Sequence, residues 1–140
     1  MSFLKFAIGL SIALLGLGAA AQRMPVPIID HDKVPVAVAP GKTASPASVK
    51  EAIIAAAKNK AWEVTEQSSG KLVATLHVRG KHTVVTEITY NAENFSLKYR
   101  DSTNMKYEAA GKDGKPAIHP FYNRWVIELK DAITKELARS

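Results

Sequence analysis

The chain has 140 residues, a net charge of +6 at neutral pH and no cysteine. This length suits one compact domain, and a content of 46% hydrophobic and 23% charged residues argues against wholesale disorder. The lack of cysteine excludes disulfides, thiolate metal sites, iron–sulfur clusters, thiol nucleophiles and lipid attachment to an N-terminal cysteine. The fold must therefore be stabilised by packing alone.

Residues 1–21 have the pattern of a secretory signal peptide. Lys5 precedes an apolar run over residues 6–18, and Ala19-Ala20-Ala21 forms a small-residue cleavage step. The run is shorter than the roughly 20 residues that a membrane-spanning helix needs. We expect cleavage between Ala21 and Gln22, which makes the mature chain periplasmic or secreted, with no transmembrane helix. An uncleaved N-terminal anchor is the alternative.

Residues 22–45 are rich in proline, which removes backbone donors and holds the preceding residue extended. We interpret this stretch as an extended linker, or as an arm laid over the domain. His31 lies in it between Asp30 and Asp32, which is a poor metal site on a solvated segment. The single folded domain is predicted to cover residues 46–140.

A helix is predicted at the start of this domain. Ser45 can cap it, Pro46 suits the first helical position, and Ser48 with Glu51 has the spacing of a capping box. Apolar residues then recur at helical spacing, and the pattern fades near residues 59–60.

Four segments with alternating apolar and polar residues follow, separated by turn residues. The short turns predict an antiparallel meander. Aligning the apolar positions puts Val78 opposite His82 and Tyr90 opposite Phe95. This register places His77 on the polar face and His82 on the covered face, so the two do not form a metal pair.

The last helix is predicted to begin at Pro120, because an apolar stripe follows that covers less than half of its circumference. Such a stripe must pack on something, and the apolar face of the sheet is the available partner. The predicted fold class is therefore α+β, a two-layer α-β-β-β-β-α arrangement in which both helices lie on one face of a four-stranded antiparallel meander.

Two surfaces are candidate binding sites. The first is the polar face of the sheet, where a basic surface could hold an anionic ligand, a glycan or a partner strand, although half of such a sheet is solvated in any case. Nucleic acid is excluded as its ligand because no aromatic residue stands among the basic positions to stack bases. The predicted residues of this face are His77, Arg79, Lys98 and Arg100.

The second candidate is a polar cluster that joins the end of the fourth strand to the start of the last helix. A helix N-terminus offers free N–H groups to an anion, but such residues also bond turns and caps. The predicted residues of this cluster are His82, Asp101, Ser102, His119, Tyr122, Asn123 and Arg124.

Known catalytic motifs are missing from the sequence, which contains no GxSxG, HExxH, P-loop or GxGxxG pattern. An Asp101-Ser102-His119 triad is disfavoured because adjacent strand residues point to opposite faces. We therefore predict no catalytic residue, no cofactor and no metal site.

Two strings in the sequence carry a family resemblance. Residues 99–105 read YRDSTNM and residues 118–125 read IHPFYNRW. Together with Ala61-Trp62 and residues 79–82 (RGKH), they resemble a family of small bacterial cell-envelope proteins, usually described as lipoproteins of unknown function. The similarity covers roughly residues 48–138. This chain departs from the family by lacking the lipobox cysteine, and the resemblance implies a compartment and a fold but no activity.

The favoured hypothesis is a small exported, non-catalytic protein that binds an envelope protein, a cell-wall polymer or an anionic lipid surface. The first alternative is a hydrolase-like enzyme using His82, Asp101 and His119. The second is an inhibitor of an envelope hydrolase that presents the loop Ala109 to Lys115, where Gly111 and Gly114 suggest a hairpin tip.

Overall fold

The computed structural model describes residues 24–140, so the predicted signal peptide lies outside the described residues. Within residues 24–140, no helix is long and apolar enough to cross a membrane. The elements in chain order are β1 (Val26–Pro27), β2 (His31–Pro35), α1 (Pro46–Asn59), β3 (Glu63–Ser68), β4 (Lys71–Val78), β5 (His82–Tyr90), β6 (Asn94–Thr103), β7 (Ala117–Ile118) and α2 (Pro120–Arg139).

The chain is α+β, with two helices, a five-stranded antiparallel sheet and a separate two-stranded sheet. In the larger sheet the strand order is β2-β6-β5-β4-β3, and β1 pairs with β7 in the smaller one. The prediction of four strands is therefore incomplete. It missed β2 because this short segment, HDKVP, has no apolar alternation and joins the edge of β6 through an irregular register.

The predicted register of the central strands is confirmed. Val78 pairs with His82 across the β4–β5 hairpin, and Tyr90 pairs with Phe95 across the β5–β6 hairpin. The apolar positions of the strands consequently face the same way. The predicted facing is confirmed as well, since Leu76 is only 8% exposed and both Ile88 and Leu97 are fully buried.

Helix α1 begins as the sequence predicts but is capped differently. Ser45 is the N-cap and Pro46 follows it at the first helical position. The Ser45 hydroxyl accepts the Ser48 N–H at 3.1 Å, and the Ser48 hydroxyl accepts the Ser45 N–H at 2.9 Å. The predicted box between Ser48 and Glu51 is wrong, because with Ser45 as the cap Ser48 already occupies the third helical position.

The two helices share one hydrophobic core with the sheet. Their buried residues form a single cluster with alternate residues of β4, β5 and β6. The contributions from the helices are Val49, Ala52, Ile53, Ala56 and Ala57 of α1 and Tyr122, Val126, Leu129, Ile133 and Leu137 of α2.

A β-bulge lies in β6 at Arg100, and β6 extends to Thr103, beyond the alternation seen in the sequence. Thr86 pairs with Tyr99 and Val85 pairs with Asp101, so Arg100 is the extra residue. Because of this insertion, Tyr99 and Ser102 lie on the same, covered side of the sheet although they are three residues apart.

Substitutions at two neighbouring positions of β6 test the facing of the sheet. Leu97→Ala should lower the free energy of unfolding by about 2–5 kcal/mol, because it leaves a cavity in the core. Lys98→Ala, on the exposed side, should change it by no more than about 0.5 kcal/mol. Urea denaturation followed by circular dichroism measures both, and similar losses for the two variants would contradict the assigned faces.

Candidate functional site

The three side chains of the enzyme alternative have separate partners. His82 is half-buried, and its Nδ1 lies 2.9 Å from the carbonyl oxygen of Asn104. Asp101 is exposed and its Oδ1 accepts the N–H of the adjacent Ser102 at 2.8 Å. His119 accepts the Phe121 N–H at 3.1 Å through Nδ1. These contacts lie at the start of β5, near the end of β6 and at the start of α2.

Asp101 and Ser102 lie on opposite sides of the sheet, as strand geometry requires. Asp101 pairs with the half-buried Val85, whereas Ser102 pairs with the buried Val84. The Ser102 hydroxyl lies 2.9 Å from the hydroxyl of Tyr99, which the bulge places beside it. Ser102 therefore bonds a neighbouring side chain and is not presented as a nucleophile.

His119 is the N-cap of α2, with Pro120 at the first helical position. Its Nδ1 satisfies one of the backbone N–H groups that the first turn of the helix leaves without an intrahelical partner. The backbone N–H of His119 also donates to the Met105 carbonyl at 2.8 Å, which ties the helix start to the chain that follows β6.

Tyr122 is fully buried under the sheet, and its hydroxyl lies 3.5 Å from that of Thr86, which is also fully buried. Burial raises the pKa of Tyr122 far above its ordinary value, because the phenolate would lose its hydration. Burial also raises the pKa of Tyr99, and the rings of Tyr99 and Tyr122 meet edge to face at 5.5 Å. Tyr122 belongs to the packed core, and the partly buried Tyr99 packs against it.

Asn123 fixes the N-terminal arm, which we define as residues 24–35. Its Oδ1 accepts the Ile29 N–H at 3.0 Å and its Nδ2 donates to the Pro27 carbonyl at 2.9 Å. Asp30 accepts the Tyr99 N–H at 3.0 Å. The amide of Asn123 therefore binds backbone groups of this chain and is occupied in the folded protein.

A further contact anchors the arm to β6. The hydroxyl of Ser96, which is 6% exposed, accepts the Lys33 N–H at 2.9 Å and donates to the Asp32 carboxylate at 3.1 Å. Within the arm, His31 packs near α2, and burial together with the charge of Lys130 lowers its pKa.

Arg124 differs from its neighbours because it is exposed. Its Nε lies 3.7 Å from the Glu128 carboxylate, and the two side chains are 69% and 52% exposed. A solvent-exposed pair of this kind contributes little to stability.

The exposed face of the sheet carries an acidic group among its basic ones. Glu87 stands between Lys71 at 3.7 Å and Arg100 at 3.6 Å, and Arg100 also bonds Gln67. Lys98 is exposed and pairs in register with Glu87. Glu87 therefore offsets part of the positive charge of this face.

The remaining predicted residues of this face lie towards the β4–β5 hairpin. His77 is exposed, with Nδ1 3.1 Å from the Thr83 hydroxyl and Nε2 4.0 Å from the Glu63 carboxylate. Arg79 lies in the turn after β4, where it has a positive φ of 56°. It extends from the end of the sheet and not from its face.

A row of aromatic rings lies at the start of α2 and was not predicted from the sequence. We call His119, Phe121 and Trp125 the ring ladder. The ring centroids of His119 and Phe121 are 4.7 Å apart, and those of Phe121 and Trp125 are 5.8 Å apart. Phe121 is 49% exposed, although it is a large apolar residue. The signal in the sequence that could have identified Phe121 is its position outside the buried stripe of α2.

The loop Ala109 to Lys115 is ordered by its own backbone. The Gly111 N–H donates to the Lys115 carbonyl at 2.7 Å, and the Gly114 N–H donates to the Gly111 carbonyl at 2.9 Å. The intervening Lys112 and Asp113 are exposed. These contacts form a tight turn and indicate no particular enzyme target, so the inhibitor alternative stays a prediction.

Metal ligands do not cluster in the part of the chain that the structure describes. Residues 24–140 contain no group of three or more His, Asp or Glu side chains that could hold a metal ion. Among the shallow, open depressions of this part of the chain, one runs between the C-terminal parts of the helices and another lies beside Trp62.

No protein-family model matches this chain, and neither the curated proteins nor the solved structures yield a significant match.

Substitutions at two adjacent residues of α2 test which of them stabilises the fold. Asn123→Ala should lower the free energy of unfolding by about 1–3 kcal/mol, because the Ile29 N–H and the Pro27 carbonyl lose their partner. Arg124→Ala should cost at most about 1 kcal/mol, since it removes only an exposed ion pair. Urea denaturation gives both values. Equal stability of the two variants would contradict the anchoring role of Asn123.

Alkaline pH should destabilise the protein through its tyrosines. Because the pKa values of Tyr99 and Tyr122 are raised, the folded protein keeps protons that the unfolded chain releases above its ordinary tyrosine pKa of 10.0. Their stabilising contribution is complete below that pH and is lost as the pH rises further. Urea denaturation across this range should show a smaller decline for Tyr122→Phe than for the unsubstituted protein. An unchanged decline would refute the contribution of Tyr122.

Proposed function

We propose that this chain is a small exported, non-catalytic binding protein of the bacterial cell envelope. The signal-peptide pattern of residues 1–21 and the resemblance to small envelope proteins support the compartment. The geometry of the region around the start of α2 supports binding over catalysis.

The observation that carries the proposal is that polar side chains in this region form hydrogen bonds within the fold, whereas an aromatic side chain is exposed. Ser102, His119 and Asn123 each form a hydrogen bond that holds the fold together. By contrast, Phe121 is half exposed and contacts rings on both sides. A surface aromatic residue of this kind suits recognition, because it offers a large contact area at a small cost in side-chain entropy.

Catalysis by His82, Asp101 and His119 would need these groups to act on one another. His82 and His119 use a ring nitrogen for backbone contacts, and Asp101 accepts the backbone N–H of its neighbour Ser102 in β6. Asp101 also lies on the side of the sheet opposite to His82. His82 is on the covered side because it alternates along β5 with the covered residues Val84 and Thr86, whereas Asp101 pairs with Val85. A base and its orienting carboxylate must instead lie within hydrogen-bond reach.

An envelope sedimentation assay tests the proposal. The full chain is expressed with its N-terminal segment in a Gram-negative bacterium, and the exported protein is mixed with washed envelopes and pelleted. We expect the protein to have lost residues 1–21 by mass spectrometry, to pellet saturably, and to leave the envelope polymers uncleaved.

A variant with Lys5→Glu and two aspartates in the apolar run serves as the control that should not be exported. Retention of the unsubstituted protein in the cytoplasm, or no saturable pelleting, would reject the proposal.

A further inference from the structure

The arm, residues 24–35, is attached to the domain mainly through individual contacts. More than half of its residues are exposed, and Ile28 and Val34 are the arm residues that are partly buried against the core cluster. Segments with few buried apolar contacts open locally at a lower free energy than the core unfolds. We therefore expect the arm to open more readily than the central strands of the sheet.

The pairing of β2 with β6 is interrupted in its middle. His31 pairs with Leu97 and Val34 pairs with Phe95, but the register shifts between these two pairs. Lys33 lies in the interruption with a φ of 50°, a left-handed conformation that is unfavourable for a residue with a side chain. The attachment at this point must therefore be maintained by other contacts.

Side chains supply these contacts. The Ser96 hydroxyl accepts the Lys33 N–H and donates to the Asp32 carboxylate, while the Asp30 carboxylate accepts the Tyr99 N–H. Both carboxylates bind residues of β6, and His31 lies between them in the sequence. The state of His31 thus bears on the part of the arm that holds the edge of β6.

His31 is half-buried at this edge, near α2. Opposite it, β6 contributes the fully buried Leu97. Its charged neighbours are Lys130 and Asp131 of α2, which pair with each other at 3.1 Å, and Asp30 of the arm itself. Burial and then the charge of Lys130 lower the pKa of His31, and they outweigh the two acidic neighbours.

The direction of this pKa change sets the direction of the pH effect. The docked arm favours the uncharged imidazole, whereas in a released arm His31 would have its ordinary pKa of 6.5. The contribution of His31 to docking is therefore complete above pH 6.5 and is lost as the pH falls from there through the lowered pKa.

We propose that the arm is a pH-sensitive strap, which stays on the edge of β6 while His31 is uncharged and is released when His31 is protonated, the rest of the domain remaining folded. Release exposes the backbone N–H and C=O groups along this edge of β6, and an exposed edge of this kind accepts a further strand. This inference goes beyond the proposed function and does not depend on it.

Hydrogen exchange of single amides, measured by NMR, tests the strap. Exchange is compared at about pH 7.5 and about pH 5.5, where carboxyl groups with ordinary pKa values near 4 stay ionised. Each rate is divided by that of an unstructured peptide at the same pH. We expect the amides of Lys33 and Tyr99 to lose protection at the lower pH, while the amide of Ile88 in the central strand β5 keeps it.

Two variants show whether His31 is the group responsible, after circular dichroism has confirmed that they fold. His31→Gln cannot take up the proton, so its protection of Lys33 and Tyr99 should be the same at both pH values. His77→Gln is the matched control, because His77 is exposed on β4, two strands away from β6. This variant should keep the loss of protection.

A loss of protection that His77→Gln retains and His31→Gln abolishes supports the strap. Equal protection at both pH values in the unsubstituted protein, or a loss that persists in His31→Gln, overturns it. An equal loss at Ile88 also overturns it, because the whole domain then opens. If His31→Gln already lacks protection at the higher pH, the unsubstituted protein decides: its loss must follow the titration of the His31 ring signals, and a different midpoint overturns the proposal.

Discussion

Leu72, Ala74 and Leu76 on β4 face the same side of the sheet as Val84 and Ile88 on β5, and both helices contribute to the core on that side. Burial of this face is the constraint on which the other elements depend. It fixes the strand register, since a shift of one residue would expose the whole apolar set. It also fixes the apolar stripe of α2, which has no other surface to cover. With no cysteine in the chain, no covalent cross-link could compensate for a loss of this packing.

Tyr99, next to the bulge at Arg100, contacts several parts of the molecule. The bulge puts Tyr99 and Ser102 on the same side of the sheet, where their hydroxyls lie 2.9 Å apart. The Tyr99 N–H donates to Asp30 of the arm, and the ring stacks on Tyr107 at 4.6 Å and meets Tyr122 edge to face. This one residue thus contacts the arm, the chain after β6 and the start of α2.

The sequence predicted the periodic parts of this fold and missed the parts that depend on single side chains. Alternation was enough for β4 and β5, and an apolar stripe with a preceding proline was enough for α2. No period marks β2, because Ser96 and Asn123 hold this arm through individual hydrogen bonds from distant parts of the chain. The bulge was not predicted for a similar reason, because nothing in the string YRDS indicates which residue is the extra one.

The same distinction explains why the candidate site was only partly predicted. Polar residues attract attention in a sequence because they can do chemistry, yet His119 and Asn123 satisfy backbone groups that the fold itself leaves open. Phe121 was overlooked because apolar residues are expected inside. Its exposure places it outside the buried stripe of α2, and the helical spacing of the sequence shows that position.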